Sequence, residues 1–166
     1  MHPGDLDWVF AYGSNMHMVD LRRWLAENGH GAGGIHRVEP ATLPGYRLAW
    51  NYRSRTRNGG AANVAPAEGR VLPGLALLVD AVTLRALDMK EGHPSWYDRG
   101  ASRHTLRLHA GGVVDGWVYV ATAARCSVDA VWPRREYLEL LVVAAREHGL
   151  PHAHVAELEA TPTADD

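Results

Sequence analysis

Apolar and polar positions change period along this chain, and the changes mark its elements. Trp8, Val9, Phe10 and Ala11 form an apolar run that stops at Gly13-Ser14-Asn15, which predicts a strand over 6–12 and a tight polar turn. Met18, Leu21, Trp24 and Leu25 then recur at helical spacing, so a helix is expected over 18–27, ended by Asn28-Gly29. Two extended stretches, 35–39 and 45–50, are separated by Pro40 and Pro44-Gly45, which read as breaks. Short strands are expected at 61–65 and 73–80, about the turn Pro66-Ala67-Glu68-Gly69. A short helix over 82–91 follows, with Asp80 or Thr83 as its cap and Gly92 where a terminating glycine belongs. Alternation over 101–109 and 112–121 predicts a hairpin about Ala110-Gly111-Gly112. The clearest helix spans 133–148. Pro133 is tolerated in its first turn, Tyr137, Leu140, Leu141 and Ala144 mark an apolar face, and Gly149 ends it. Pro151 opens one more short helix to Leu158, and residues 161–166 read as a disordered tail. Strands crowd the middle, while helices are inserted and close the chain. That order is expected of one α+β domain over residues 1–160, its mixed sheet curling into a barrel.

Composition narrows the function classes. The 166 residues, 46% hydrophobic and 22% charged, suffice for one domain with a real core. A formal net charge of −2 offers no broad basic field for nucleic acid. No apolar run is long enough to span a bilayer, and the polar start lacks the basic region of a signal peptide. The single cysteine, Cys126, excludes a disulfide framework within the chain and fits a reducing compartment, so a cytoplasmic location is expected.

Two stretches carry candidate chemistry. A strand running through a polar turn into a helix leaves backbone N–H groups unpartnered and adds a positive partial charge, a ready anion site. Gly13 allows a sharp turn or a close approach, and Ser14 and Asn15 can cap or donate hydrogen bonds. The plain alternative is a simple connection. The second stretch is the helix over 82–91, where Leu84, Leu87 and Glu91 share one face, so Glu91 points inward from the last turn. In general, burial and the negative end of a helix dipole favour the neutral form of a carboxyl group, the condition general acid–base chemistry asks for. The plain alternative is that the helix ends early and Glu91 frays into solvent. The turn-rich loop after it, with Trp96, Tyr97 and Arg99, reads as a pocket wall, and His93 as a second base or an exposed loop histidine. Arg53, Arg55 and Arg57 in the polar stretch 51–60 could hold a carboxylate or phosphate, or be merely solvated.

Other constellations are weaker. Residues 29–34 match G-x-G-x-x-G, but they follow a helix and lead into a strand, the reverse of a dinucleotide fingerprint. Among ten histidines the tightest pair, His152 and His154, has no cysteine or acidic ligand cluster beside it, so no metal is expected. Arg125 beside Cys126 could activate the thiol, although nothing in the sequence sets a histidine against it. Ser14 is not in a G-x-S-x-G elbow, and there is no Walker loop.

Taken together, these residues resemble the γ-glutamylcyclotransferase family. The resemblance runs from Phe10-Ala11-Tyr12-Gly13-Ser14-Asn15-Met16 through Gly59–Val64, Gly69–Val79, Leu87–Gly92 and Tyr97 to Trp117–Val120 and the closing helix with its Gly149-Leu150-Pro151 exit. It implies a small mixed β-barrel surrounded by helices. It also implies an enzyme without metal or organic cofactor that releases 5-oxoproline from a small-molecule γ-glutamyl amide. Carried over by residue, Glu91 is implied as the catalytic acid–base. Tyr12, Gly13, Ser14, Asn15 and Met16 are implied as the loop cradling the γ-glutamyl group, and Tyr97 and Tyr119 as pocket lining. Met16 stands where leucine is common, and the segment from His93 to Tyr97 has a spacing that varies in the family, which leaves the leaving amine open. Some relatives unmask antibiotic intermediates this way. Hydrolysis or acyl transfer in the same pocket, or binding without catalysis, are the alternatives. Oligomeric state, a homodimer included, stays open.

Overall fold

Two long strands carry the architecture. The structure, a computed structural model, describes residues 5–165, with Ala32 described by its backbone alone. In it β2 (Ile35–Ser54) and β3 (Gly59–Asp80) form an antiparallel ribbon of 20 and 22 residues. Onto β3 packs β1 (Leu6–Ala11), antiparallel, and onto β2 packs β5 (His104–Leu108). β6 (Val113–Trp117) pairs antiparallel with β5 and parallel with β1, closing a five-stranded mixed barrel in the order β1-β3-β2-β5-β6. The α+β barrel expected from the order of elements is therefore present. Phe10, Leu43, Leu75, Leu77 and Leu106 are fully buried in its core.

The long ribbon corrects the expected strand boundaries. Pro40 does not break β2; it pairs with Leu75 of β3, and its carbonyl accepts from the His109 N–H at 2.9 Å. Pro44-Gly45 marks a register shift, with Gly45 at φ 81°. The ladder jumps there from Tyr46–Pro66 to Pro44–Val71, so residues 67–70 bow out without ending β3. Prolines are tolerated at such irregularities because the ladder hydrogen bond is already interrupted. The expected hairpin is shorter than its alternation suggested. Trp117, Val118 and Tyr119 are consecutively buried, which ends the alternation. Val120–Ala121 instead form β7, paired with β4 (Tyr97–Asp98) in a separate small sheet.

The helices fall close to their expected spans: α1 (Met18–Glu27), α2 (Ala81–Glu91), α3 (Arg135–Glu147) and α4 (His152–Glu159). Asp80 caps α2, its Oδ1 accepting the Thr83 N–H at 2.8 Å, and Gly92 ends it at φ 65°. The cap of α1 is His17, whose Nδ1 accepts the Asp20 N–H; Ser14 and Asn15 lie in a separate 3-10 turn, Ser14–Met16. Residues 161–165, expected as a tail, run back to the start of α3. The Ala164 N–H reaches Pro133 O at 2.8 Å, and Asp165 accepts the Arg135 N–H at 2.8 Å. Asp166, the rest of that tail, lies outside the described residues. Among the described residues no helix is long and apolar enough to cross a membrane.

Candidate active site

The barrel delivers two segments to one place. β1 leaves the barrel at Ala11 and continues through Tyr12-Gly13 into the 3-10 turn, while α2 ends on Glu91. Although 76 positions apart, Asn15 and Glu91 are joined by a hydrogen bond from Asn15 Nδ2 to Glu91 Oε1 at 2.7 Å. Lys90 Nζ donates to Asn15 Oδ1 at 2.8 Å. An ammonium has donors only, so it claims the amide oxygen and turns the NH₂ toward the carboxylate. Glu91 Oε2 makes no hydrogen bond with the described residues, which leaves it open to a ligand.

These groups border a cavity of about 780 Å³. Its floor is phenolic. Tyr12 donates to the Tyr119 carbonyl, Tyr97 to the Ala62 carbonyl at 2.8 Å, and Tyr119 to Asp88 Oδ1 at 2.6 Å. The Tyr137 hydroxyl accepts the Ala62 N–H at 3.0 Å. Burial raises the pKa of each of these four phenols and of Tyr52, and the negative charge of Glu91 adds to the rise in all five. Tyr137 is pushed up to about 12. The floor is thus a set of neutral hydroxyls around one carboxylate. Burial pushes the Lys90 ammonium the other way, downward, and the charge of Glu91 partly restores it.

Close packing explains the two glycines at the site. A β-carbon on Gly13 would stand 3.1 Å from the Tyr137 hydroxyl and 3.2 Å from Ala62 Cβ, tighter than ordinary contact, so a larger residue would move the loop or the floor by a few tenths of an ångström. Gly92 has φ 65°, and a β-carbon there would meet the Trp96 ring at 2.6 Å. Within the turn the Met16 N–H is used on Gly13 O and the His17 N–H on Ser14 O, both at 3.0 Å. The N–H groups of Gly13 and Asn15 have no partner among the described residues, which makes them the donors open to a ligand.

Tyr12, Gly13, Ser14, Asn15, Glu91, Tyr97 and Tyr119 therefore all line one cavity. Met16 does not: its side chain is fully enclosed in the core, because the 3-10 turn aims it away from its neighbours. His93 is not on the wall; its Nδ1 accepts the Arg99 N–H at 3.3 Å. Arg55 and Arg57 border the cavity and Arg53 does not. Arg57 is paired with Asp20 at 3.3 Å and lies over the Tyr137 ring. Cys126 lies off the cavity, and burial pushes its thiol up, opposite to what its arginine neighbour suggested. His154 is buried in α4, and no group of three metal-ligating side chains occurs among the described residues.

Some members of the site were not singled out from sequence. Tyr137 was read only as part of an apolar face, yet a tyrosine among leucines signals a hydroxyl needing a buried partner. Lys90 and Asp88 gave no local signal. Asp88 holds Tyr119 from below and is itself gripped by Arg99 through two hydrogen bonds of 2.8 and 3.1 Å.

The family model described as "Gamma-glutamyl cyclotransferase, AIG2-like" matches residues 9–138, a span holding both the turn and Glu91. The chain belongs to this family. A solved γ-glutamyl cyclotransferase shares 22% identity with a TM-score of 0.79, covering 98% of this chain and 91% of that one. An uncharacterized protein from Homo sapiens shares 22% identity and a TM-score of 0.76, with 97% and 90% covered. A yeast γ-glutamyl cyclotransferase specific to glutathione is more distant, at 13% identity and a TM-score of 0.59, with 93% and 96% covered. These likenesses establish the shared fold. No curated protein sequence matches the chain.

Proposed function

We propose that the protein is a γ-glutamyl cyclotransferase that releases 5-oxoproline and a free amine from a γ-glutamyl amide. Membership of the family supports the class of activity. The observation that carries the mechanism is the Asn15–Glu91 hydrogen bond, which sets a carboxylate with one open oxygen beside a turn with open N–H donors. The substrate supplies its own nucleophile. Its α-ammonium gives a proton to Glu91 Oε2, and the amine attacks the γ-carbonyl. A new C–N bond closes the ring, Glu91 returns its proton to the leaving nitrogen as the bond to it breaks, and the ring nitrogen's second surplus proton follows by the same route, so the products are the neutral lactam and an ammonium. Neither a protein nucleophile nor a metal enters this sequence. The N–H groups of Gly13 and Asn15 would receive the α-carboxylate or the developing oxyanion. Folding amine onto carbonyl is the main task, worth roughly 7–11 kcal/mol when fully achieved.

The test is a panel of γ-glutamyl compounds assayed for both 5-oxoproline and glutamate. Release of 5-oxoproline is expected. Glutamate in its place would mean hydrolysis in the same pocket, and binding without either product would mean a non-catalytic role. The single cysteine suits a cytoplasmic setting for such an enzyme.

A further inference from the structure

The chain meets almost every need for a cation with arginine. Of its 17 Lys and Arg residues only one, Lys90, is a lysine. That lysine borders the cavity, half-buried, next to Glu91. Its Nζ donates to Asn15 Oδ1 at 2.8 Å, and Asn15 Nδ2 donates in turn to Glu91 Oε1 at 2.7 Å. Nζ also lies 6.0 Å from the centroid of Trp24, whose ring stacks with His30. The charges that act on Lys90 come from three elements: Glu91 beside it on α2, Arg57 from the turn between β2 and β3, and Asp20 of α1, which is 3.3 Å from Arg57. Arg23 and Glu27 of α1 line the same cavity, and the phenols of the floor are neutral. Burial pushes the Lys90 ammonium down, Glu91 and Asp20 push it up, and Arg57 pushes it down again. An arginine in this place would hold its charge at every accessible pH, whereas a lysine can lose it.

We propose that Lys90 is a positioning residue with a built-in alkaline limit: as an ammonium it holds the Asn15 amide in the orientation that grips Glu91, and when its proton passes to solvent base the amide is free to turn and turnover falls. The proposal rests on the cyclotransferase reading above. An ammonium has only donors to offer, so the amide has one orientation. A neutral amine both donates and accepts. A turned amide is then equally well served at Lys90, and it sets its oxygen against the carboxylate.

Because the chain has a single lysine, enzyme labelled with carbon-13 at lysine Cε gives one lysine signal in an NMR titration. Its midpoint is expected below the ordinary lysine value of about 10.4 while the enzyme is still folded, and the Asn15 side-chain NH₂ signals should move with it. The kcat/KM of the wild type, taken over that of Lys90→Met on the fastest γ-glutamyl compound of the panel, should be several-fold at neutral pH and fall toward one across the same midpoint. That ratio cancels the titration of the free substrate. Lys90→Arg, which keeps a cation and its donors, should lack the fall. Asp20→Asn removes a charge that supports the ammonium, so it should move the lysine midpoint and the fall together to lower pH. A lysine that stays charged wherever the enzyme is folded, Asn15 signals indifferent to its midpoint, a rate ratio constant across it, or a fall kept by Lys90→Arg overturns the proposal while leaving cyclotransfer intact. If no compound of the panel yields 5-oxoproline, the cyclotransferase reading fails instead. The Asn15 signals then judge the lock alone: movement with the lysine upholds it, and indifference overturns it.

Discussion

The floor and the mouth of the cavity are built by different means. On the floor Tyr12, Tyr97 and Tyr137 are buried, and their hydroxyls are committed to backbone groups; Tyr119 is committed to Asp88. At the mouth Arg55 is exposed and lies over Trp96, 5.2 Å from the ring centroid. The floor takes its geometry from partners that no substrate supplies, which suits chemistry shared by every γ-glutamyl compound. The mouth takes its geometry from one ring and a flexible side chain, which suits discrimination among leaving amines. Substitutions in the two regions should therefore separate turnover from selectivity.

The largest effect is expected at Glu91. A Glu91→Gln variant keeps the shape but cannot accept a proton, so 5-oxoproline release should fall by roughly 10²- to 10⁴-fold while a γ-glutamyl ligand still binds by calorimetry. A Gln variant with wild-type turnover would put the proton transfer elsewhere. Asn15→Ala removes the tie to Glu91 and should cost about ten- to a hundredfold in kcat/KM, the scale of a hydrogen bond to a charged group. Lys90→Met frees the Asn15 amide to rotate, with an expected loss of about tenfold or less. If Lys90 acts only through that amide, Lys90→Met adds nothing in the Asn15→Ala background. Additive losses in the double variant would mean that Lys90 acts on the ligand or on Glu91 directly.

The floor can also be probed without substrate. Tyr137→Phe leaves the buried Ala62 N–H without its acceptor and should cost about 1–3 kcal/mol of stability, read as a lowered thermal midpoint. An unchanged midpoint would mean that the floor is not held by this bond.

How much of this was legible depended on how local each signal is. The helices were legible because apolar spacing and the end residues Asp80, Gly92, Asn28 and Gly149 are short-range features. The long ribbon was not. Pro40, Pro44, Pro66 and Gly69 look the same whether they end a strand or sit in a bulge, and only the partner's register tells the two apart. The inward turn of Glu91 could be read from its spacing to Leu84 and Leu87, and the turn at residues 13–15 from its residue types. Trp96 could be read as pocket wall, and Tyr137 as a hydroxyl in need of a partner but not of which one; Lys90 could not be read, because it acts across a long-range contact. Met16 shows the converse, a residue adjacent in sequence to the cavity loop that the 3-10 turn sends into the core.

The smallest effect concerns what lies beneath the floor. Burial raises the pKa of Asp88, but hydrogen bonds from Arg99 and Tyr119 and the charges of Arg99 and His93 outweigh it, so its carboxyl is held below the usual value. A group lowered in this way adds stability that is present above its unfolded pKa of about 3.9 and is lost as pH falls through the folded value. Asp80, lowered by its cap to Thr83 despite burial, acts in the same direction. The thermal midpoint should therefore begin to fall below about pH 4, and Asp88→Asn should flatten part of that fall, leaving the share that belongs to Asp80. If the Asn variant tracks the wild type in parallel through this range, Asp88 is not what holds Tyr119 in place. The floor would then depend on its backbone partners alone, and its contrast with the mouth would narrow to the Tyr12, Tyr97 and Tyr137 bonds.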